Sequence, residues 1–400
     1  MDVLIHSAAS RFPVSHPHRP YRTSLRQCVF SVRSSISLPF PEEKAKYNEH
    51  LQAAVDVVER ACRLCVDVQK SLFSNDRQII EKLDQTPVTI ADFGVQALVS
   101  LEMSKLFPSI PLVAEEDSAF VRENNLVDDV FQVVTDKSSI SDKTLSEEDI
   151  LKAIDRGGKD AFSFGPQPAT YWILDPIDGT RGFVKGSGAL YVVGLALVVE
   201  GEIVLGVMGC PNWRVEGEEN TVSRSGIIMI SHVGCGTWRT RLWDAQNNSR
   251  KTHKWTRCQV DDFSKIDEAR FCIPESQTWE SLPLSTKYNA TTHTDCVGEK
   301  DILLLPTCCG SLCKYLMVAS GRASVFIQRA RTQTIIKVWD HAVGVICIHE
   351  AGGKVSDWKG SELDFAADQT ERRVLYPSGG GILVSNDSLH NPILEIIPSS

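Results

Sequence analysis

Between Leu51 and Leu72, apolar residues fall at 51, 54, 55, 58, 62, 65, 66 and 72, a spacing that predicts one long amphipathic helix. The pattern then changes at Thr86-Pro-Val-Thr-Ile-Ala, an extended run that ends at Asp92. Helical spacing returns through Phe93, Leu98, Leu101, Met103 and Leu106 and stops before Pro108. Pro111-Leu-Val-Ala114 reads as a short apolar strand running into Glu115, Glu116 and Asp117. Residues 118–165 are polar and weakly patterned, ending in Gly157-Gly158 and Gly165-Pro166, and predict a flexible excursion with some helix. Tyr171-Trp-Ile-Leu174 reads as a buried strand. Asp175-Pro176 is expected to end it in a turn, because proline fixes its own φ and holds the preceding residue extended.

Residues 191–200 and 202–210, divided by Gly201, predict a hairpin, and 226–232 with 237–242 predict another. The polar stretch 244–268 is expected to carry a domain junction. Beyond it, strands are expected at 269–274, 302–305, 323–327 and 381–385, and helices at 311–320 and 341–351. Asp340 stands where the N-cap of that last helix belongs, and Gly352-Gly353 supply its stop. The divisions that follow are an N-terminal segment 1–40, an α+β domain 41–265 and an α/β domain 266–400.

Composition changes the picture first at the N-terminus. Residues 1–40 hold five arginines, no lysine, eight serines and one acid, the composition of an organellar transit peptide. No secretory apolar core is present there. Arg33-Ser34-Ser35 near a plausible cleavage point leans toward the mitochondrion, while serine content leans toward the chloroplast as the alternative. The whole chain carries a net charge of −9, and without this segment the remainder is more acidic still. That argues against binding a nucleic-acid polymer or an anionic membrane, though not against a small anion held by metal ions. No apolar run reaches some 18 residues, the length needed to span a bilayer as a helix. Twelve cysteines without a secretory signal are expected to be reduced thiols. Cys62 and Cys65 lie in a helical pattern with no partner set at zinc spacing and read as core. Cys308, Cys309 and Cys313 crowd together and are candidates for oxidation.

Candidate chemistry gathers in Asp175-Pro-Ile-Asp178-Gly179-Thr180. Two carboxylates three apart across a turn can share one small volume, where they repel unless a cation lies between them. Oxygen ligands alone favour a hard divalent ion such as Mg²⁺, whereas a tight Asp-rich turn is the bland reading. Asp92, Glu115 and Asp340 share the same habit of sitting at strand ends or helix starts, where function gathers in α/β folds. Five such acids converging would suit two or three Mg²⁺ ions and phosphoryl transfer.

The chain resembles the inositol monophosphatase superfamily. The resemblance is carried by Asp92 after Pro87-Val-Thr89, by Glu115-Glu116, by Asp175-Pro-Ile-Asp178-Gly-Thr180, and by Trp339-Asp340-His341-Ala-Val-Gly344, in that order over residues 45–390. It implies a two-domain layered α-β-α-β-α sandwich of the inositol monophosphatase and fructose-1,6-bisphosphatase type, α+β to α/β in class. It also implies Mg²⁺-dependent, lithium-sensitive phosphomonoesterase activity. Thr180-Arg181-Gly182-Phe183, Leu205-Gly-Val-Met-Gly-Cys210-Pro-Asn212 and Gly310-Ser311-Leu-Cys-Lys314-Tyr315 are similar to the 3′(2′),5′-bisphosphate nucleotidase branch, plant organellar type. The implied reaction is hydrolysis of adenosine 3′,5′-bisphosphate, a substrate of sulfur metabolism, to AMP and phosphate by a metal-activated water. An inositol- or sugar-phosphate phosphatase is the alternative, and a catalytically silent nucleotide sensor the second.

By the same resemblance, Glu115, Asp175 and the Ile177 carbonyl hold one Mg²⁺ and Asp175, Asp178 and Asp340 a second. Asp92 with Glu115 supports a third, weaker ion. Thr180, oriented by Asp92, takes a proton from the attacking water; a threonine is a poor base alone, so the proton passes on to the carboxylate. Gly179, Thr180, Ser311, Lys314 and Asp340 face the substrate. Two departures stand out. The branch's histidine after the first strand of the second domain is missing from Glu275-Ser276-Gln277-Thr278-Trp279. Its phosphate-binding arginine, which follows an aromatic-hydrophobic pair, is displaced in Val325-Phe326-Ile327-Gln328-Arg329-Ala330-Arg331 to Arg329 or Arg331.

Overall fold

The computed structural model describes residues 37–74, 80–81, 87–138, 145–158, 168–186, 188–214, 226–242, 254–292, 301–307, 309–330, 336–366, 374–375, 377 and 380–397. The segment read as a transit peptide lies outside these up to residue 36, and Cys308 and Arg331 lie outside as well. Residues 34–400 belong to one compact unit by their contacts.

The apolar spacing noted from Leu51 onward becomes helix α1 (Asn48–Ser74), whose inner face, Leu51, Val55, Val58, Cys62 and Cys65, is fully buried. Helix α2 (Ile90–Leu106) begins where Thr89 caps it. The Thr89 hydroxyl accepts from the helix amides, and Asp92 at the third helical position reaches back to the Thr89 amide. Asp92 therefore sits in a first helical turn and not at the end of a strand. The stretch 118–165 is more ordered than its polarity suggests, with α3 (Ser118–Glu123), α4 (Val127–Thr135) and α5 (Glu147–Gly157). A narrow apolar stripe, Ile150, Leu151 and Ile154, docks α5, while the acids of its first turn stay outside and Asp155 is buried as an acceptor from the Ser118 amide and hydroxyl.

The first sheet runs in sequence order: β1 (Leu112–Ala114), β2 (Tyr171–Asp178), β3 (Val192–Val199), β4 (Glu202–Cys210), β5 (Ile227–His232), β6 (Gly236–Arg241) and β7 (Thr256–Cys258). Only the β1–β2 pair is parallel. Both expected hairpins are present, the first turning at Glu200 and Gly201 with positive φ. Strand β2 does not stop at Asp175-Pro176. It continues to Asp178 through a bulge, where the missing proline N–H costs no ladder bond, and the turn comes at Gly179 with φ 88°. Part of the polar junction, β7, is the seventh strand of this sheet.

The second sheet holds β8 (Arg270–Cys272), β9 (Asn289–Thr291), β10 (Asp301–Leu304), β11 (Val325–Arg329), β12 (Gly353–Asp357) and β13 (Gly381–Asn386), in the order β9-β10-β8-β11-β13-β12. Its first four strands are parallel and β13 is antiparallel to both its neighbours. Alternation along each strand sends side chains into two different cores. Trp172, Leu174, Val193 and Leu195 of the first sheet pack under α1 and α2. Tyr171, Ile173, Val192 and Met208 face the other way, into a core shared with Phe326 and Val384 of the second sheet. Two helices fill that core, α7 (Ser311–Ala319) and α8 (Ala342–Glu350). The far face of the second sheet, Phe271, Val325 and Leu383, is covered by α9 (Asp387–Ile396). The layers are thus α-β-α-β-α.

Candidate functional site

Three chain turns meet where β2, α7 and α8 come together. Strand β2 delivers Asp175 and Asp178, both almost fully buried. The segment before α8 delivers Asp340, and one ligand atom from each of the three lies within 4.8 Å of the others. The N-cap of α8 is His341 and not Asp340 as expected; Asp340 stands one residue before the cap, and its carboxylate is left for the cluster. His341 accepts or donates through Nδ1 to the Tyr315 hydroxyl at 3.0 Å, tying the start of α8 to α7. Glu115, just beyond β1, lines the same cleft, a space of about 300 Å³ that also touches Ile177, Gly179, Thr180, Arg181, Ser311 and Lys314.

The electrostatics of this cluster are those of acids held too close. Burial first, then the neighbouring Asp178, Glu115, Asp340 and Asp92 charges, push the Asp175 carboxyl well above the usual carboxylate range. Asp340 is raised well above that range, by burial and then by Asp178 and Glu115. Asp178 rises only to about 6, because burial is opposed by the Lys314 charge and by the Cys313, Leu312 and Ser311 amides. Those amides, at the N-terminus of α7, donate to its two oxygens, Ser311 at 2.9 Å, Leu312 at 2.8 Å and Cys313 at 3.3 Å. Asp175 Oδ1 is buried with no hydrogen-bond partner among the described residues. An orphaned carboxylate oxygen surrounded by like charges is a position completed by a cation, and the all-oxygen donor set suits a hard divalent ion.

Gly310 explains one departure from the nucleotidase segment. A Cβ at this position would stand 1.9 Å from Asp178 Oδ2, so a residue with any side chain collides with the carboxylate that caps α7. Lys314, expected to face substrate as a point charge, is buried, and its ammonium donates to the Cys309 carbonyl and, at 2.9 Å, to that of Gly310. It holds the loop over Asp178 and keeps one of its three N–H donors for other use.

Beside the acids, Thr180 opens the short helix α6 (Thr180–Lys185). Its hydroxyl lies 3.2 Å from Asp92 Oδ1 and 3.1 Å from the Ile177 carbonyl. Asp92 Oδ2 accepts from the Thr89 amide and hydroxyl, both at 2.8 Å, so the carboxylate presents Oδ1 to Thr180 in a fixed direction. Gly179 is the left-handed cap that lets β2 turn directly into α6. Buried Gln96 was not foreseen. Its amide accepts from the Glu116 amide at 2.8 Å and donates to the Glu116 and Ile154 carbonyls, which pins the acidic turn carrying Glu115. A lone glutamine in a helical pattern gives no sequence signal of this.

The cysteine expectation needs correction at one position. Cys309, at the cleft, is disulfide-bonded, whereas eight described cysteines are free thiols. Cys313 is one of the free ones, fully buried with its thiol pKa pushed up by burial, which leaves it poorly nucleophilic. Arg329 is also not where the displaced-arginine reading would use it. Its guanidinium donates to the Ser281 carbonyl at 2.8 Å, and the residue of β11 that lines the cleft is Gln328.

Comparisons with known proteins agree with this geometry. The profile of the Inositol monophosphatase family matches residues 47–399. A protein of Arabidopsis thaliana described as a putative 3′(2′),5′-bisphosphate nucleotidase, mitochondrial, is 62% identical over 400 residues, covering 100% of this chain and 98% of its own. Another from the same plant, 3′,5′-bisphosphate nucleotidase 2, is 34% identical over 368 residues, 88% of this chain and 97% of its own. Among solved structures, an IMPase of Thermotoga maritima superposes with a TM-score of 0.54 at 18% identity, covering 87% of this chain and 96% of that one, a likeness of fold. The chain belongs to the inositol monophosphatase family.

Proposed function

We propose that this chain is a Mg²⁺-dependent 3′(2′),5′-bisphosphate nucleotidase that hydrolyses adenosine 3′,5′-bisphosphate to AMP and phosphate. The observation that carries the chemistry is the meeting of Asp175, Asp178 and Asp340 beside the Thr180–Asp92 pair. The substrate rests on relatives described as bisphosphate nucleotidases that match along nearly their whole length. Glu115, Asp175 and the Ile177 carbonyl are assigned to one ion, Asp175, Asp178 and Asp340 to a second, and Asp92 with Glu115 to a third. When bound, such ions supply Lewis acidity toward phosphoryl oxygens and lower the pKa of water. Thr180 Oγ takes the proton of the attacking water and passes its own to Asp92 Oδ1, a carboxylate steadied by Thr89. Asp178, held on the α7 amides, fixes the metal end of the cleft relative to Gly179, Ser311 and Lys314, which are assigned to the substrate together with Asp340. No protein–phosphate bond is needed, since positioning and charge stabilisation suffice for phosphoryl transfer.

The two sheets support a division into domains 41–265 and 266–400, with the cleft where their elements meet. Location in the mitochondrion is supported by the arginine- and serine-rich residues 1–40 and by the description of the 62% identical relative. The test is phosphate release from the purified chain with and without Mg²⁺ and Li⁺. Mg²⁺-dependent, Li⁺-inhibited release from adenosine 3′,5′-bisphosphate far faster than from inositol monophosphate is expected. The reverse preference favours the inositol-phosphate alternative, and no release from either favours the silent sensor.

A further inference from the structure

The acidic turn after β1 is held in place by a side chain of α2. Strand β1 pairs with β2 as far as Ala114 and Leu174, and the chain bends away from the sheet at Glu115. Beyond that point Gln96, fully buried on α2, takes the part of a strand neighbour. Its amide oxygen accepts from the Glu116 amide at 2.8 Å, and its amide nitrogen donates to the Glu116 carbonyl at 2.7 Å. That is the two-way exchange a paired backbone residue makes. The same nitrogen donates to the Ile154 carbonyl in the last turn of α5 at 2.8 Å, so both N–H donors of the amide are used. Gly158 presses on the same carbonyl of Glu116: a Cβ there would stand 2.2 Å from its oxygen.

Glu115 thus stands between two fixed neighbours, Ala114 in the sheet and Glu116 in the grip of Gln96. Helix α2 also carries Asp92, four residues before Gln96 and therefore on the same face. One helix face sets the spacing between Asp92, which Thr89 orients at the helix start, and Glu115. The other end of the cleft is held by other elements, Asp178 by the α7 amides and Asp340 by its place before α8. An ion is bound more weakly where its ligand residue is free to swing, because binding must then order that residue.

We infer that Gln96 is a positioning residue for the metal site: it sets the affinity of the ions assigned to Glu115 and leaves that of the ion assigned to Asp178 and Asp340 unchanged. This rests on the metal-dependent reading proposed above and divides its cleft into two separately supported ends. The experiment measures Mn²⁺ binding to the ion-free chain by electron paramagnetic resonance, in the unmodified chain, Gln96→Met, Glu115→Gln and the double variant. Alongside it, the Mg²⁺ concentration for half-maximal phosphate release is measured with whichever of adenosine 3′,5′-bisphosphate and inositol monophosphate is turned over. Gln96→Met keeps the length of the side chain and removes the polar atoms of the clamp. It should weaken part of the Mn²⁺ binding by about 10- to 100-fold, the usual effect of losing a group that holds a ligand residue, and leave one ion unchanged. Half-maximal Mg²⁺ should rise by a similar factor, with KM at saturating Mg²⁺ unaltered. In the Glu115→Gln background the same substitution should change binding by less than about twofold, because the clamp acts through Glu115. A substitution that only loosened the fold would cost as much in either background. Gln96→Asn, whose amide is one methylene shorter, takes the same comparison if Gln96→Met does not fold. Binding unchanged by the substitution, weakened at every ion alike, or reduced equally in both backgrounds overturns this inference alone. Failure of both variants to fold would make the clamp a requirement of the fold and overturns it as well. No Mn²⁺ bound by the unmodified chain overturns the metal-dependent reading and this inference with it.

Discussion

Asp175→Asn is expected to lower kcat/KM by about 10³-fold or more. Metal-ion stabilisation of a phosphoryl transition state is worth several kcal/mol, and each 1.36 kcal/mol is tenfold in rate. Asp175 is assigned to two ions at once, and its Oδ1 has no hydrogen-bond partner among the described residues to keep it in place. The same substitution has a second readout that a merely disrupted fold would not give. Asp178 has a folded pKa of about 6 against an ordinary 3.8, and Asp175 and Asp340 are raised further. Across the interval from the unfolded to the folded pKa, the folded chain holds more protons than the unfolded one. Stability of the ion-free protein therefore falls as pH rises through that interval, and above it the full penalty remains. Removing one of the crowded charges relieves it. Ion-free Asp175→Asn should melt at or above the unsubstituted protein at pH 8, while gaining less from added Mg²⁺. Differential scanning calorimetry at pH 5 and pH 8, with and without Mg²⁺, checks this. Near-normal turnover, or an undiminished Mg²⁺ shift, contradicts the assigned role.

Thr180→Val should lower kcat by about 10²–10⁴-fold, the span of general acid–base contributions, with little change in KM. Valine keeps the shape and removes only the hydroxyl that stands 3.2 Å from Asp92 Oδ1 and 3.1 Å from the Ile177 carbonyl. Because Thr180 and Asp92 act as one unit, the double variant with Asp92→Asn should lose about as much as the more damaging single variant. Losses that multiply would mean the two residues act separately. Steady-state kinetics of the three variants decides between these outcomes.

Much of this site was legible in the sequence because its chemistry is local. Asp175 and Asp178 are three residues apart, Asp92 follows a capping threonine, and Glu115 follows a short apolar strand. The layered fold was legible as well, since α1, the two hairpins and β13 each bury one face or both. What escaped was fixed at long range. Nothing local says that Asp178 caps a helix more than 130 residues away, or that Gly310 is demanded by that contact. Pro176 looked like a strand breaker because proline lacks a ladder donor, yet a bulge absorbs it and β2 continues to Asp178. The helices at 118–157 were hidden by exposed acids that dominate their composition. The displaced arginine pointed to Arg329 or Arg331; Arg331 lies outside the described residues, and the Arg329 guanidinium is drawn to the Ser281 carbonyl by a tertiary contact while Gln328 lines the cleft.

The central claim is that the acids around Asp175 hold divalent ions for catalysis. Locating Mn²⁺ by anomalous scattering in crystals grown at a concentration that sustains turnover tests it most directly. The account predicts peaks between Asp175, Asp178 and Asp340 and beside Glu115. Peaks confined to other parts of the surface, with none among these acids, would contradict it.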